Sequence, residues 1–585
     1  LHSPSGKAAH YKDLVAPASL LSVPDEADVR LKAPEQYRLL GQRISNASAE
    51  GIATGEPIFG IDAQVDGMVY ASFVKCPSIG GVAKSANLEV VKALPGIIDA
   101  FILDGTPGPY SFDIRESCAI QSGVAIVGKD TWSTFKARES LKVDWDLSTA
   151  SRDDSDAIEA EALTALAAGK VETEIERAGD VDAAFANAAM TADATYSTDF
   201  VSHAQLEPQG VVISAATSAV EVWTSSQTPV FVTSNLVKLL DVTPGNITVH
   251  QLRGGGGFGR RLSNEYIYEA ALISRRVGTP VKLQWKREDD MAFDYFRAPT
   301  YYRLQGAISS DGQLTGWKNL VASASADGKT ANYGAGYRPY DFPGKVIANV
   351  AIEQSFVKSQ TPTGAWRAPI SNVYAFAEQS FIAELAHTAG QDHRDFLLNA
   401  IGDKGWITEG DMASLNTARA RATIEAVTKA AGWGRTLPEG HGLGLAFFLS
   451  HSGHIAEVTE VSVEGKRITV HDVWVAADVG QVVNLSGLEN QLQGSVIDGL
   501  SSMAAQSISI KKGAVVQSNY DSYPLLRMPQ SPRVHVLALN SGYRPTGAGE
   551  PALPPLAPAV CNAVFNACGE RIRALPISKA GFTIV

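Results

Sequence analysis

The sequence is poor in cysteine, in long apolar runs and in positive charge. Its 585 residues include four cysteines, Cys76, Cys118, Cys561 and Cys568, and no two of them form a C-x-x-C pair. By itself the chain is therefore expected to hold neither an iron–sulfur cluster nor a cysteine-only zinc site. No apolar run approaches the ~18 residues of a membrane span, and no basic-then-apolar leader opens the chain.

The charge balance excludes one class of partner. Lys and Arg number 50 against 62 Asp and Glu, which leaves a net charge of -12. Proteins that grip a phosphate backbone are usually basic, so we expect no nucleic-acid partner. With 45% hydrophobic and 19% charged residues, the composition is that of an ordinary globular protein. Its length predicts several domains.

Changes in pattern along the chain predict four regions. Residues 1–50 have no sustained periodicity and are expected to form an N-terminal arm. A compact α/β unit is expected at 51–150, and two larger regions of mixed strands and helices at 151–405 and 406–585. Because Leu1 is not a methionine, we expect a preceding segment to be missing from this sequence.

Local signals place several elements. Alternating apolar residues predict a strand over 59–63, followed by a turn at Asp66-Gly67 and a second strand. An alanine-rich acidic stretch at 151–169 predicts an exposed helix. Helices are also expected from Asn416 to Ala431 and from Leu556 to Cys568, each ended by a glycine.

The most unusual stretch is a glycine-rich loop. Four glycines, Phe258, Gly259 and two arginines follow a predicted strand and precede a predicted helix. Such a loop presents free amides and the positive helix end to an anion, and Arg260 and Arg261 should add charge. The spacing Gly254-x-Gly256-x-x-Gly259 matches the dinucleotide fingerprint, but the expected acid about 20 residues later is missing. The alternative is a turn that only lets two elements cross.

Glu550 is the second candidate. It is surrounded by glycine, proline and small apolar residues, with no other charge between Arg544 and Glu570. We expect a poorly solvated carboxyl group whose raised pKa makes it a general base. The alternative is that Glu550 only complements the dipole of the last helix.

Two further clusters are less specific. Trp366-Arg367 suits a planar or anionic group through stacking and forked hydrogen bonds, although purely structural stacking explains the pair equally well. His451 and His454 lie near each other in sequence, but no third metal ligand accompanies them, so a metal site is not favoured.

Taken together and in this order, the markers resemble one family. The chain resembles the large molybdopterin-binding subunit of the xanthine oxidase family of molybdenum hydroxylases, and more closely the isoquinoline 1-oxidoreductase β-subunit branch. The resemblance implies an α+β and α/β multidomain fold: an aldehyde oxidase/xanthine dehydrogenase hammerhead domain at 51–150, then two molybdopterin-binding α+β domains. The markers are His203–Pro208, Gln227, the glycine loop, Arg287–Asp290, Trp366-Arg367 and Gly549–Pro551.

The resemblance also implies roles for individual residues. Glu550 corresponds to the family's catalytic base, Gln227 to a glutamine beside the metal, and Arg367 to an arginine that orients substrate in purine-oxidising relatives. Trp366 and Leu262 are assigned to the substrate, and no side chain is expected to ligate the metal, which the pterin dithiolene holds. The residues assigned to the cofactor are Gly256, Gly257, Phe258, Gly259, Arg260, Arg261, Gln493 and Gly549.

One departure from the family's pattern refines the expected substrate. Purine oxidisers have a second glutamate just after the loop, where this chain has Leu262, so an aldehyde or a neutral N-heteroaromatic compound is the expected substrate. The expected cofactor is molybdopterin with molybdenum, in its cytosine dinucleotide form. A nicotinamide-dependent dehydrogenase and a non-enzymatic assembly subunit are the alternative functions.

The expected assembly has several chains. A 2Fe–2S subunit carries electrons away, and a separate polypeptide supplies the upstream cofactor-binding segment that this sequence lacks. A cytochrome or FAD subunit is an optional further partner. No membrane span is expected, and the compartment, periplasm or cytoplasm, is left open.

Overall fold

The computed structural model describes residues 6–56, 59–106, 119–337 and 342–585. Cys118 lies outside these ranges. Within them, no helix has both the length and the apolar character that crossing a bilayer requires.

Most strands belong to three mixed sheets. In chain order, the strands of the described residues are β1 (Val69–Lys75), β2 (Val82–Ala86), β3 (Ile97–Leu103), β4 (Gly123–Gly128), β5 (Val143–Asp146), β6 (Thr173–Ala178), β7 (Met190–Thr198), β8 (Gly210–Ser214), β9 (Val220–Thr224), β10 (Ile247–Gln251), β11 (Val281–Gln284), β12 (Thr300–Ile308), β13 (Leu314–Ser325), β14 (Asn349–Lys358), β15 (His441–Ser450), β16 (Gly453–Glu464), β17 (Arg467–Asp478), β18 (Ile510–Lys511), β19 (Ala514–Val515), β20 (Arg533–Ala538), β21 (Ala574–Leu575) and β22 (Thr583–Ile584).

The helices lie mainly between these strands and cover the faces of the sheets. In chain order, those of the described residues are α1 (Tyr11–Ser19), α2 (Ala49–Thr54), α3 (Leu88–Lys92), α4 (Thr131–Ala137), α5 (Ser155–Ala167), α6 (Val181–Ala186), α7 (Pro229–Leu240), α8 (Glu265–Val277), α9 (Arg287–Ala292), α10 (Ser371–Thr388), α11 (His393–Ile401), α12 (Thr417–Ala431), α13 (Leu485–Ala505) and α14 (Leu556–Cys568).

The sheets combine strands that are distant in sequence. The first has the order β10-β9-β8-β11-β1-β4-β3, the second β21-β7-β12-β13-β14-β6, and the third β15-β16-β17-β20, with β22 also paired to β17. The expected α+β and α/β multidomain fold is confirmed. The first sheet takes strands from both sides of residue 150, so the four regions drawn from the sequence stay a prediction.

The largest core lies between the second and third sheets and the helices against them. Helix α10 is buried along most of its length, and α14 packs directly on β15. That contact requires glycine: a Cβ on Gly444 would lie 2.1 Å from the Ala559 carbonyl oxygen and 2.2 Å from the Ala563 amide. Helix and strand backbones therefore touch at this point. A second core lies under the first sheet, against α7 and α8.

The N-terminal arm lies on the start of α13. The Gly41 amide donates to the Val483 carbonyl at 3.1 Å, and the Leu485 amide donates to the Gln42 carbonyl at 3.0 Å. Arg43 forms a two-pronged ion pair with Glu489. The expected arm therefore contacts the start of α13 and the residues just before it through residues 41–44.

Several local expectations are confirmed and two are wrong. Helix α14 spans the expected residues and α12 begins one residue after Asn416, which caps it. The strand expected at 59–63 is a short 3-10 turn, because distant side chains bind its main chain: Glu207 accepts from the Ile61 amide, and Lys282 donates to the Ile61 and Ala63 carbonyls. Helix α5, expected to be exposed, buries one apolar face.

Candidate active site

The glycine loop leaves β10 at the edge of the first sheet. It leads into a 3-10 turn over Arg260–Leu262, and α8 begins only at Glu265. The strand expected before the loop and the helix expected after it are both present, and residues 260–264 separate the last glycine of the loop from that helix. In the described part of the chain, the amides of Gly256, Gly257 and Phe258 have no hydrogen-bond partner, so the loop offers these donors directly.

Gly259 fixes the loop against a second segment. Its φ is 112°, a left-handed conformation that favours glycine. A Cβ at this position would lie 1.6 Å from the Ala365 carbonyl oxygen, so no other residue fits. The next bond is a main-chain one: the Arg367 amide donates to the Phe258 carbonyl at 2.8 Å. The glycine loop and the Trp366-Arg367 segment therefore form one unit.

Arg260 and Arg261 do not supply free positive charge. Both are buried. Arg260 pairs with Glu265 and, at 3.1 Å, with Asp294. Arg261 donates to the Gly256 and Glu207 carbonyls and pairs with the Glu207 carboxylate at 3.0 Å. The expectation that they add charge for an anion is wrong, because neighbouring carboxylates neutralise them. Their assignment to the cofactor stays a prediction.

Arg367 is also committed to the protein. Its side chain is 9% exposed. It donates to the Gly549 carbonyl at 2.6 and 2.9 Å and to Ser495 at 2.8 Å, and lies 3.4 Å from Asp498. Through these contacts Arg367 holds the main chain just before Glu550. The resemblance had instead assigned Arg367 to the orientation of a substrate.

Trp366 packs in a buried apolar cluster that includes Phe296 and Leu553, and it is 2% exposed. The Arg297 guanidinium lies 5.6 Å from its ring centroid. Structural stacking, the alternative left open by the sequence, accounts for these contacts. A side chain so deeply buried has little surface left for a substrate.

Glu550 stays partly open and has a histidine partner. Its side chain is 37% exposed, and its Oε2 lies 2.6 Å from Nε2 of His451. Burial alone raises the pKa of Glu550, but the hydrogen bond and charge of His451, the Ala368 amide and the charge of Arg367 outweigh it, so the pKa is below its ordinary value. The expected raised pKa is wrong, because the sequence did not reveal these donors. The carboxyl group is ionised at neutral pH.

Gln227 and the loop are close together. The Gln227 amide donates to the Arg261 carbonyl at 2.9 Å. A Cβ on Gly257 would lie 3.3 Å from Oε1 of Gln227, and the Gln227 side chain is exposed. Arg367 in turn donates to the carbonyls of Phe258 and Gly549. Gln227, the loop and the Glu550 segment therefore lie at one site.

Two assigned residues are less central. Gln491, rather than Gln493, faces Gly549: a Cβ on Gly549 would lie 3.5 Å from Oε1 of Gln491, which also accepts from Arg367. Gln493 is exposed two residues further along α13, on a different face of the helix. Leu262 is partly buried, and its carbonyl accepts from Thr228 at 3.1 Å.

A buried polar layer supports the site from behind. His203 places Nδ1 2.8 Å from Asp294 and Nε2 2.9 Å from the Ala365 carbonyl, the group against which Gly259 packs. Burial alone raises the pKa of Asp294, but His203 and Arg260 lower it to about 2. Gln205 donates to Asp290 at 2.7 Å. The markers His203–Pro208 and Arg287–Asp290 are therefore in contact.

Some of these residues had no signal in the sequence. The sequence suggested His451 only as a metal ligand, and among the described residues no cluster of metal-binding side chains is present. His454 is buried with a pKa lowered by burial to about 3, and accepts from the Asn416 amide. A local pattern could not have paired His451 with a glutamate 99 positions away.

Comparisons with known proteins decide the family. Two molybdopterin cofactor-binding domain models match residues 165–399 and 378–532. The isoquinoline 1-oxidoreductase subunit beta of Brevundimonas diminuta is 27% identical over 95% of this chain and 70% of its own length. The chain belongs to the molybdopterin-binding large subunits of the xanthine oxidase family of molybdenum hydroxylases.

A second relative and a solved structure also match most of the chain. A membrane-bound aldehyde dehydrogenase (pyrroloquinoline-quinone) of Gluconacetobacter polyoxogenes is 27% identical over 99% of this chain and 77% of its own length. The crystal structure of quinoline 2-oxidoreductase from Pseudomonas putida 86 has a TM-score of 0.74 and 13% identity, covering 93% of this chain and 97% of that one. The molybdenum hydroxylase fold is thus present over nearly the whole chain, and molybdopterin with molybdenum is its cofactor.

The residues at the site fit such a cofactor. The free amides of Gly256, Gly257 and Phe258 can donate to the oxygen atoms of an oxidised metal centre or a pterin. Phe258 is 39% exposed with a φ of 55°, an exposed aromatic ring held in a conformation that a side chain rarely adopts. Strained residues of this kind are typical of ligand contacts.

Proposed function

We propose that this chain is the catalytic subunit of a molybdenum hydroxylase that oxidises a C–H bond of a neutral N-heteroaromatic compound or an aldehyde, with water as the oxygen source. When bound, the molybdenum–pterin cofactor supplies the two-electron redox chemistry. The observation that carries the proposal is the position of Glu550: an ionised, partly open carboxylate on the segment that Arg367 ties to the glycine loop.

Each residue at the site has a defined task. Glu550 accepts a proton on its carboxylate when the oxygen nucleophile forms. Gln227, exposed beside Gly257, hydrogen-bonds an oxygen through its side-chain amide. The loop amides from Gly256 to Phe258 hold the cofactor edge. Gly259 sets the spacing between that edge and Arg367.

The substrate class follows from charge. Arg260, Arg261 and Arg367 are paired within the protein, so none of them offers a free cation to an anionic substrate. Leu262 stands where purine-oxidising relatives place a second glutamate, which removes a hydrogen-bonding group for a purine. A neutral substrate is therefore favoured, and the names of two relatives, which refer to isoquinoline and to aldehyde, belong to these two classes.

The chain works within a larger assembly. We infer a 2Fe–2S partner subunit that receives the electrons, and a separate polypeptide that completes the pterin site. A cytochrome or FAD subunit as final acceptor, the cytosine dinucleotide form of the cofactor and a periplasmic or cytoplasmic location belong to the same proposal. The domain division at residues 50, 150 and 405 is retained on the resemblance.

Purification of the native complex followed by substitution of Glu550 tests the function. We expect molybdenum by elemental analysis and turnover of N-heteroaromatic compounds or aldehydes. In Glu550→Gln, turnover should fall by about 10²- to 10⁴-fold, the contribution of a general base, with molybdenum content unchanged. Glu425→Gln, on the exposed face of α12, is the matched control and should retain turnover. A complex without molybdenum, or full turnover in Glu550→Gln, overturns the proposal.

A further inference from the structure

The hairpin that faces Glu550 has an unusual turn. Strands β15 and β16 are joined by His451 and Ser452, with Ser450 paired to Gly453. The φ angles of His451 and Ser452 are 50° and 62°. A two-residue hairpin turn with positive φ at both positions normally contains Asn-Gly, Asp-Gly or Gly-Gly. Here a histidine and a serine adopt this conformation, which is uncommon for any residue other than glycine.

The strained turn packs directly on the Glu550 segment. His451 Nε2 lies 2.6 Å from Glu550 Oε2, and its other ring nitrogen, Nδ1, lies 3.0 Å from the Ser450 hydroxyl. On one side of Glu550, a Cβ on Gly547 would lie 3.5 Å from Cβ of His451. On the other, a Cβ on Gly453 would lie 3.2 Å from Pro551. The turn therefore contacts residues both before and after the carboxylate.

Other charged groups near Glu550 do not duplicate this contact. The charge of Arg367 also acts on Glu550, but its guanidinium group donates to the Gly549 carbonyl and pairs with Asp498. The Ala368 amide donates to Glu550, but it is neutral. Asp498 lies beyond Arg367 on α13 and would oppose ionisation of Glu550 if it were nearer. Among the residues that the structure describes, His451 is thus the titratable side chain seen to pair with the carboxylate itself.

We propose that His451 is a positioning residue for Glu550: it donates from Nε2 to Oε2, fixes the orientation of the carboxylate and keeps it ionised between turnovers. This inference rests on the proposed function, in which Glu550 is the base. The strained backbone of the turn places the His451 imidazole against the Glu550 carboxylate. Backbone strain of this kind is typical of functional sites. Nothing in the wider hairpin requires a histidine here, since Asn or Gly would form the turn more easily.

The most informative variant is His451→Asn. Asparagine favours the left-handed conformation of the turn but is too short to keep the bond to Glu550 and carries no charge. We expect unchanged molybdenum content and an unchanged or higher melting temperature. The acid limb of the kcat/KM profile should move to higher pH, because a carboxylate that loses its hydrogen-bond donor protonates more easily. At pH 5 we expect about a tenfold loss in kcat/KM, with a smaller loss at pH 8.

Two additional measurements separate this role from a structural one. His451→Gln keeps a donor near Glu550 and should recover part of the rate, but not the acid limb. A double-mutant cycle of His451→Asn with Glu550→Gln, measured by thermal unfolding at pH 7, does not depend on enzyme turnover. The stability changes of the two single variants should not add up to that of the double variant. His441→Gln, at the far end of β15 beside His471, is the control and should leave the pH profile unchanged.

The outcomes distinguish this inference from the proposed function. A wild-type complex without molybdenum or turnover overturns the function, and the role of His451 with it. In an active complex, a His451→Asn profile that matches wild type overturns the role of His451 alone, whatever the melting temperature. A lower melting temperature with an unchanged profile assigns His451 to the hairpin only and also overturns the proposal.

Discussion

The guanidinium group of Arg367 holds the carbonyl of Gly549, the residue immediately before Glu550, at 2.6 and 2.9 Å. The same arginine donates its main-chain amide to the Phe258 carbonyl in the glycine loop. One residue therefore sets the distance between the glycine loop and the segment that carries Glu550, the proposed base. This relationship makes Arg367, a buried residue, structurally central to the site.

Substituting Arg367 by lysine should impair catalysis more than folding. Lysine keeps the charge beside Asp498 but cannot donate in several directions as the planar guanidinium group does. A displacement of Glu550 by about 1 Å would lower kcat/KM by roughly 100-fold. Steady-state kinetics with molybdenum content measured on the same sample tests this. Arg275→Lys on the exposed face of α8, where Arg275 donates to the Ala215 carbonyl, is the control. Wild-type kcat/KM in Arg367→Lys would show that Glu550 is positioned by other contacts.

Gly259 should tolerate no side chain. A Cβ would lie 1.6 Å from the Ala365 carbonyl oxygen, and the φ of 112° already disfavours other residues. We expect Gly259→Ala to separate the loop from the Arg367 segment, lowering the free energy of unfolding by about 3 kcal/mol more than a matched control. Molybdenum per chain should also fall.

Gly169→Ala provides that control, since Gly169 has a φ of 64° and a methyl group added to it would meet no neighbouring atom within 4 Å. It isolates the cost of a left-handed alanine, about 1 kcal/mol. Urea unfolding and elemental analysis of both variants measure the difference. Equal destabilisation in the two variants would mean that contact with Ala365 does not constrain the loop.

The sequence predicted what short-range signals determine. Helix α14 is confirmed from Leu556 to Cys568 because an apolar periodicity leads to a glycine stop, and glycine enrichment pointed to a loop that carries function. The strand expected over 59–63 failed because its main chain binds Glu207 and Lys282. Alternation of apolar residues contains no information about such distant partners.

The electrostatics of the site could not be predicted for the same reason. Arg260, Arg261 and Arg367 look like free cations in the sequence, yet each pairs with a buried or partly buried carboxylate in the fold. The apolar neighbours of Glu550 predict a raised pKa, but His451 reverses that direction. Charge at a site depends on pairings across the fold, which spacing along the chain does not reveal.

Asp290 should make stability depend on pH in a direction unusual for a carboxylate. Burial raises its pKa from 3.8 to about 6, despite the nearby Arg287 and Arg260. Between these values the folded chain binds a proton that the unfolded chain has released. The contribution to stability is therefore complete below pH 3.8 and is lost as the pH rises through about 6.

Asp290→Asn removes this titration while keeping an oxygen that can accept from Gln205. Across pH 4 to 7 the wild-type chain should lose about 3 kcal/mol of unfolding free energy from this group, and the variant should lack that loss. Urea unfolding at several pH values measures both curves. Asp403→Asn, on an exposed loop, should follow the wild-type slope. If the stability of Asp290→Asn also follows the wild-type pH dependence, Asp290 is ionised throughout this range. The effect of Arg287 on the pKa of Asp290 would then outweigh the effect of burial.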